Sequence, residues 1–227
     1  MPFLGSQPAE VALTTGDLGD NIVDGTKTKD ALIADYSDVT ITASDLIMYG
    51  DATDSNNTKR DTVQGILDLA SGLTLGTEQA TSSGTSITFG SIPAGTKLIF
   101  IAFEAVSTNG TDDILVQIGD AGGVETSAYV SSSPEIQSGS TGTMNTSTAG
   151  YIVSSEEAAG TLSGTMTLVL KDSSNYTWIS SHSVKYSTSR AAAGGGDKSL
   201  SAELTQVLIK PTGSNSFDGG SINIMYM

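Results

Sequence analysis

From about residue 85 onward, apolar and polar positions alternate with a period of two, the pattern of strands half-buried in a sheet. Residues 199–227 show it best. There Ile222, Ile224 and Tyr226 alternate with Ser221, Asn223 and Met225, so the first three share a face. Leu204, Val207, Leu208 and Ile209 make an earlier apolar run. Between the two runs, Pro211-Thr212-Gly213-Ser214-Asn215-Ser216 has turn chemistry: proline fixes φ, and Gly and Asn accept positive φ. The final run is expected to be tucked into a sheet, because loose ends fray.

The same reading places strands at 85–90, 96–106, 112–119, 125–131, 142–153, 163–171, 175–184, 200–210 and 220–227. Leu98, Phe100 and Ala102 lie opposite Ile99, Ile101 and Phe103, so that strand is apolar on both faces and belongs at a sheet centre or against a neighbouring subunit. Leu162, Met166, Leu168 and Leu170 share one face. Residues 191–196, Ala-Ala-Ala-Gly-Gly-Gly, read as a low-complexity, mobile loop. Regular strands with Gly- and Ser-rich turns predict an antiparallel β-sandwich, jelly-roll-like, over residues 81–227.

Upstream the period changes. Val63, Ile66, Leu67 and Ala70 fall at i, i+3, i+4 and i+7, predicting a helix over 58–70 with Thr58 as N-cap and Gly72 at its end. Val39, Ile41 and Ala43 read as a strand, the apolar run Leu46-Ile47-Met48-Tyr49 ends in turn residues, and 28–35 suit a short helical turn. A strand and one short helix cannot fold alone, so residues 28–80 need partner copies or the downstream domain. Residues 71–84 read as a linker, with a domain boundary near 80. Residues 1–27 are interrupted by Pro and Gly and read as an extended arm that orders on a partner.

Composition narrows the function classes. Hydrophobic residues make up 37% of the 227 and glycines number 26, which favours an all-β protein. The net charge of −15, with only 10 Lys and Arg, argues against nucleic acid and anionic membrane surfaces as partners. A neutral sugar or a protein suits it better. No run approaches the roughly 18 apolar residues of a membrane helix, so no membrane insertion is expected. The start Met1-Pro2-Phe3-Leu4-Gly5 has neither a basic region nor an apolar run, so no signal peptide is expected. With no cysteine, disulfides, thiolate metal sites and thiol nucleophiles are excluded.

No pattern demands a cofactor, a metal or a catalytic group. Asp17, Asp20 and Asp24 lack calcium-loop spacing. A Ser–His–Asp triad could draw on the single histidine, His182, but no Gly-x-Ser-x-Gly elbow accompanies it, and His182 reads as a structural or surface residue. Asp112-Asp113 and Glu156-Glu157 point to opposite faces if on strands and read as solvated turns. Gly194-Gly195-Gly196-Asp197-Lys198-Ser199 departs from a phosphate loop. Trp178, the one tryptophan, reads as core. Tyr129 and Tyr151, beside Ser/Gly-rich loops, are the candidate exposed contact residues.

Several stretches resemble the C-terminal β-sandwich domain of tailed-bacteriophage tail fibres: Ile92-Pro93-Ala94-Gly95-Thr96-Lys97 with its following strand, Ile114-Leu115-Val116-Gln117-Ile118-Gly119, Asn175-Tyr176-Thr177-Trp178, and Phe217-Asp218-Gly219-Gly220-Ser221-Ile222 to the last residue. The resemblance spans about residues 85–227. The order Asp45-Leu46-Ile47-Met48-Tyr49, then Lys59-Arg60-Asp61-Thr62-Val63, resembles fibre shaft segments, which implies that 28–80 is a short shaft or trimerisation segment. It implies a non-enzymatic virion protein and a homotrimer. Its 1–27 arm would meet the tail or baseplate, and its tip domain a host surface glycan or protein. A capsid decoration protein or head fibre is the alternative reading, and a tail-associated polysaccharide depolymerase a more distant one.

Overall fold

A computed structural model describes residues 40–69, 72–155, 157–158 and 160–227. The arm, the helical turn at 28–35, the first residue of the 39–43 run, Glu156 and the aspartates 17, 20 and 24 lie outside the described residues. The chain divides into two compact units between residues 70 and 71.

The first unit holds β1 (Leu46–Asp51), a 3-10 turn (Ala52–Asp54), β2 (Asn57–Thr62) and α1 (Val63–Leu69). β1 and β2 form an antiparallel hairpin in which Leu46 faces Thr62 and Tyr49 faces Lys59. Asp51 caps the turn by accepting the Thr53 N–H at 2.9 Å. The helix expected over 58–70 is thus a correction: it starts at Val63, because the preceding residues pair with β1. Its cap is Thr62, whose hydroxyl oxygen accepts the Gly65 N–H at 3.1 Å. Residues 41–45 form no strand.

The second unit carries β3 (Thr74–Leu75), β4 (Gln79–Ala80), β5 (Ile87–Phe89), β6 (Leu98–Thr108), β7 (Ile114–Asp120), β8 (Gly123–Val124), β9 (Val130–Gln137), β10 (Met144–Ser147), β11 (Tyr151–Val153), β12 (Leu162–Asp172), β13 (Thr177–Lys185), β14 (Arg190–Ser199), β15 (Gln206–Pro211) and β16 (Phe217–Tyr226). They build two antiparallel sheets. The large one runs β10-β9-β14-β13-β12-β6-β16-β3, with β4 also on β16; the small one runs β11-β7-β15-β5, with β8 on β7. This is a mainly β, sandwich-like fold, as the alternation predicts.

The core lies between the sheets. β6 supplies Ile99, Ile101 and Phe103; β12 supplies Met166 and Leu168; β16 supplies Ile222 and Ile224. Val116, Ile118, Val207 and Ile209 answer from the small sheet. β6 is central, flanked by β12 and β16.

Three further expectations are corrected. Residues 74–75 and 79–80 pair with β16, and Thr81 donates its hydroxyl to the Gly219 carbonyl at 2.7 Å, so the sandwich claims most of the expected linker and begins about ten residues before 80. The run 142–153 is two strands in different sheets, because the small residues at 148–150 let the chain cross over. The Ala/Gly loop is β14, an interior strand between β13 and β9. Its glycines answer to the backbones beside them: a Cβ on Gly196 would stand 2.1 Å from the Val130 carbonyl oxygen, and one on Gly194 2.2 Å from that of Ser132.

Candidate functional site

β9 faces inward with Ser131, Ser133 and Glu135, a polar set that has to be satisfied between the sheets. Ser131 Oγ accepts the Ile152 N–H at 2.9 Å and Ser133 Oγ the Ser154 N–H at 3.0 Å, so β9 is pinned to β11 of the other sheet by side chains. His182 of β13 joins this set, with its Nε2 2.9 Å from Ser133 Oγ. Which of the two donates follows from the imidazole tautomer, and Nδ1 has no hydrogen-bond partner among the described residues.

Burial lowers the His182 pKa to about 4. The Ser–His pair is therefore sealed in the core and has no carboxylate on Nδ1, so it lacks both substrate access and the orienting group of a triad. It is a structural pair.

Tyr129 and Tyr151 do not lie at the surface, which corrects the expectation of exposed contacts: each is 1% exposed. Their rings meet edge-on, 5.0 Å between centroids. The Tyr129 hydroxyl accepts the Ile118 N–H at 2.8 Å and donates to the Glu125 carbonyl at 3.0 Å; the Tyr151 hydroxyl donates to the Trp178 carbonyl at 3.1 Å. Burial raises both phenol pKa values. Lys198 is buried above the Tyr129 ring, 5.4 Å from its centroid, and paired with Glu125. Burial pushes the Glu125 carboxyl up, but the bonds from Lys198 and the Ser201 N–H outweigh it and leave the pKa lowered.

The aspartate pair also departs from a solvated turn. Asp113 is buried and accepts from the Asn145 amide at 2.9 Å and the Ser155 N–H at 2.7 Å, while Asp112 accepts the Asn215 N–H at 2.9 Å. The two carboxylates tie different loops together. Glu157 lies 3.9 Å from Arg190. No group of three or more His, Asp or Glu among the described residues is placed to hold a metal.

Within the sandwich, the outer face of the large sheet is open to a partner. β14 turns Ala193 and Gly195 outward, so the strand forms a low strip between taller neighbours. At one end is a cleft of about 600 Å³ lined by Val130, Ser132, Thr146, Thr148 and Gly195, within the roughly 300–1,000 Å³ of small-ligand sites. At the other is a hollow of about 380 Å³ bordered by Ile136, Lys185 and Arg190. Val130 is 66% exposed. Hydroxyls beside an apolar floor, with no charge in the larger cleft, suit a neutral, amphipathic ligand.

No protein-family model, curated protein or solved structure matches this chain. The sequence placed Tyr129 beside Ser/Gly-rich loops and gave no sign of the cleft, because its floor is a strand with no alternation to read. Exposed alanine and glycine flanked by Ser/Thr strands was the available signal.

Proposed function

We propose that this chain is a structural virion protein of a bacteriophage, a homotrimeric tail fibre that attaches through residues 1–27 and contacts the host surface through its sandwich. The observation that carries this reading is the uncovered first unit. Both faces of β1 are apolar and exposed, with Met48 at 75%, whereas β2 is polar throughout. The hairpin is thus divided by strand and not by face, and a partner has to wrap β1 from both sides. Neighbouring copies around an axis do this, with β1 inward and β2 outward. Leu46, Ile47, Met48, Tyr49, Ile66 and Leu67 leave on the order of 700 Å² open, close to the ~800 Å² that one partner gives to a standard interface.

Three sandwiches on one stem then offer three copies of the β14 surface. Weak contacts to a host glycan or protein add through multivalency.

Light scattering at micromolar concentration should return a trimer; a monomer removes the support. Antibody against residues 72–227, located by gold labelling on intact virions, should mark the tail end and block host adsorption. Label over the capsid would replace this reading with a capsid decoration protein or head fibre.

A further inference from the structure

The outer face of the large sheet divides in two. Toward β14 it is small and hydroxylated: Ser132, Gly195, Ser181 and Thr167 fall in register across β9, β14, β13 and β12. Toward β16 the registers line up apolar side chains instead. Ile179 of β13 stands opposite Val169 of β12, and Val169 opposite Leu98 of β6. Phe100 of β6 stands opposite Met225 of β16, and Met225 opposite Leu75 of β3. Met227 joins the two rows, its N–H donating to the Leu98 carbonyl at 2.9 Å. The residues between them in sequence, Ile99, Ile101, Leu168 and Ile224, fill the core, so by alternation this band points away from it.

The band is open. Leu75 is 66% exposed and Met227 52%. With Leu73, Val169 and Ile179 they leave on the order of 500 Å² of apolar surface uncovered, before the partly exposed Leu98, Phe100 and Met225 are counted. Contiguous patches of this size mark contact surfaces. Asp197 beside Ile179 and Thr167 beside Phe100 give it a polar border, the arrangement of an apolar contact with a wet rim.

Area and connection say what covers it. In a closed three-fold ring each copy meets two neighbours. The open apolar surface of the first unit, on the order of 700 Å², is split between them and gives each pairwise contact only about 700 Å² in total, the scale of incidental packing. Adding the band raises each contact to about 1,200 Å², where stable specific interfaces begin. Residues 70 and 71 alone separate α1 from the first described residue of the sandwich. A link of that length spans at most about 10 Å, so copies joined through their first units deliver their bands to one small region. Each copy has a net charge of −15 and repels the others. The band residues carry no charge, so a like-charged copy can approach there.

We propose that this band is the contact of the sandwich with a second copy of the chain. It deepens the trimer reading above and rests on it. The bands bury one another around the axis, starting at Leu73. The three tips become one rigid head, and the hydroxylated half of the face, with the β14 strip, is left outward for the host.

The chain has no cysteine, so single thiols report on the band without background. Leu75→Cys, Val169→Cys and, on the exposed side of β14, Ala193→Cys are made in the full chain. Each is labelled with a maleimide under native conditions, and light scattering gives the mass of the same sample. The two band thiols should react at least tenfold more slowly than Ala193→Cys. Leu73→Cys, treated with a short bismaleimide, should yield covalent dimers. If Val169→Cys does not fold, Ile179→Cys takes its place.

A trimer in which either band thiol labels as fast as Ala193→Cys overturns the inference and leaves the trimer reading standing. Slow labelling without covalent dimers means that the band is covered by its own chain, and overturns it as well. A monomer with freely labelled thiols removes both.

Discussion

Burial holds the His182 imidazole neutral far into the acid range, and stability should register this. The folded pKa is about 4 against 6.5 for the free side chain. Between those values the unfolded chain takes up a proton that the folded one refuses, so stability is lost as pH falls from about 6.5 to 4 and levels off below. The loss from this one group is at most about 3 kcal/mol. Asp120, held down first by the Ser201 hydroxyl, and Asp172, held down first by the Asn175 amide, titrate lower, and the stability they add is lost only below about pH 4. Urea unfolding at pH 7, 5.5 and 4.5 should show the decline, and His182→Gln should flatten it. The sequence separated inside from outside well where side chains alternate, as at Ile222 and Ile224. It did so poorly for Tyr129 and Tyr151, because proximity to a Ser/Gly loop says nothing about which way a ring turns. Asp113 was equally hidden: its partners Asn145 and Ser155 come from distant parts of the chain.

At the scale of elements, β14 is the instructive one. Ala-Ala-Ala-Gly-Gly-Gly has no apolar period, and by propensity it belongs in a loop. Its neighbours decide otherwise: β9 and β13 pass so close that a Cβ on Gly196 would meet Val130 O at 2.1 Å. Gly196→Ala should therefore destabilise the protein by about 1–3 kcal/mol through overpacking, whereas Ala193→Gly, on the exposed side, should cost about 1 kcal/mol or less. Thermal unfolding of the two variants checks the contrast. The helix shows the complementary case. The spacing of Val63, Ile66 and Leu67 was legible and correct, but the start of α1 was not, because the Thr58–Thr62 region pairs with β1 and only the hairpin register reveals it.

For the whole molecule, the two units differ in how much they bury. The sandwich has a continuous core, while no residue between 40 and 67 is fully buried. Limited proteolysis of dissociated protein should trim it to a fragment beginning near residue 71, as identified by mass spectrometry. A start beyond 80 would mean that β3 and β4 are not held by β16. In the assembled oligomer the same cleavages should slow. The sandwich class was legible because many short alternating strands leave little choice of architecture. The order of strands was not, since pairing partners far apart in sequence leave no local trace.

The position of β16 has a consequence for how the protein is made. It lies near one end of the large sheet, between β6 and the two-residue strands β3 and β4, matching Thr108 with Phe217 and Ile99 with Tyr226. A ribosome has to deliver nearly the entire sandwich before β6 acquires this neighbour. Until then β6 presents an unpaired, Ile- and Phe-rich edge, the kind that recruits other nascent chains. Loop closure of this span is slow, so the yield of native protein will be set by a race between the arrival of β16 and aggregation along β6. Cooler synthesis or a holding chaperone should tilt that race without altering a single contact in the finished structure.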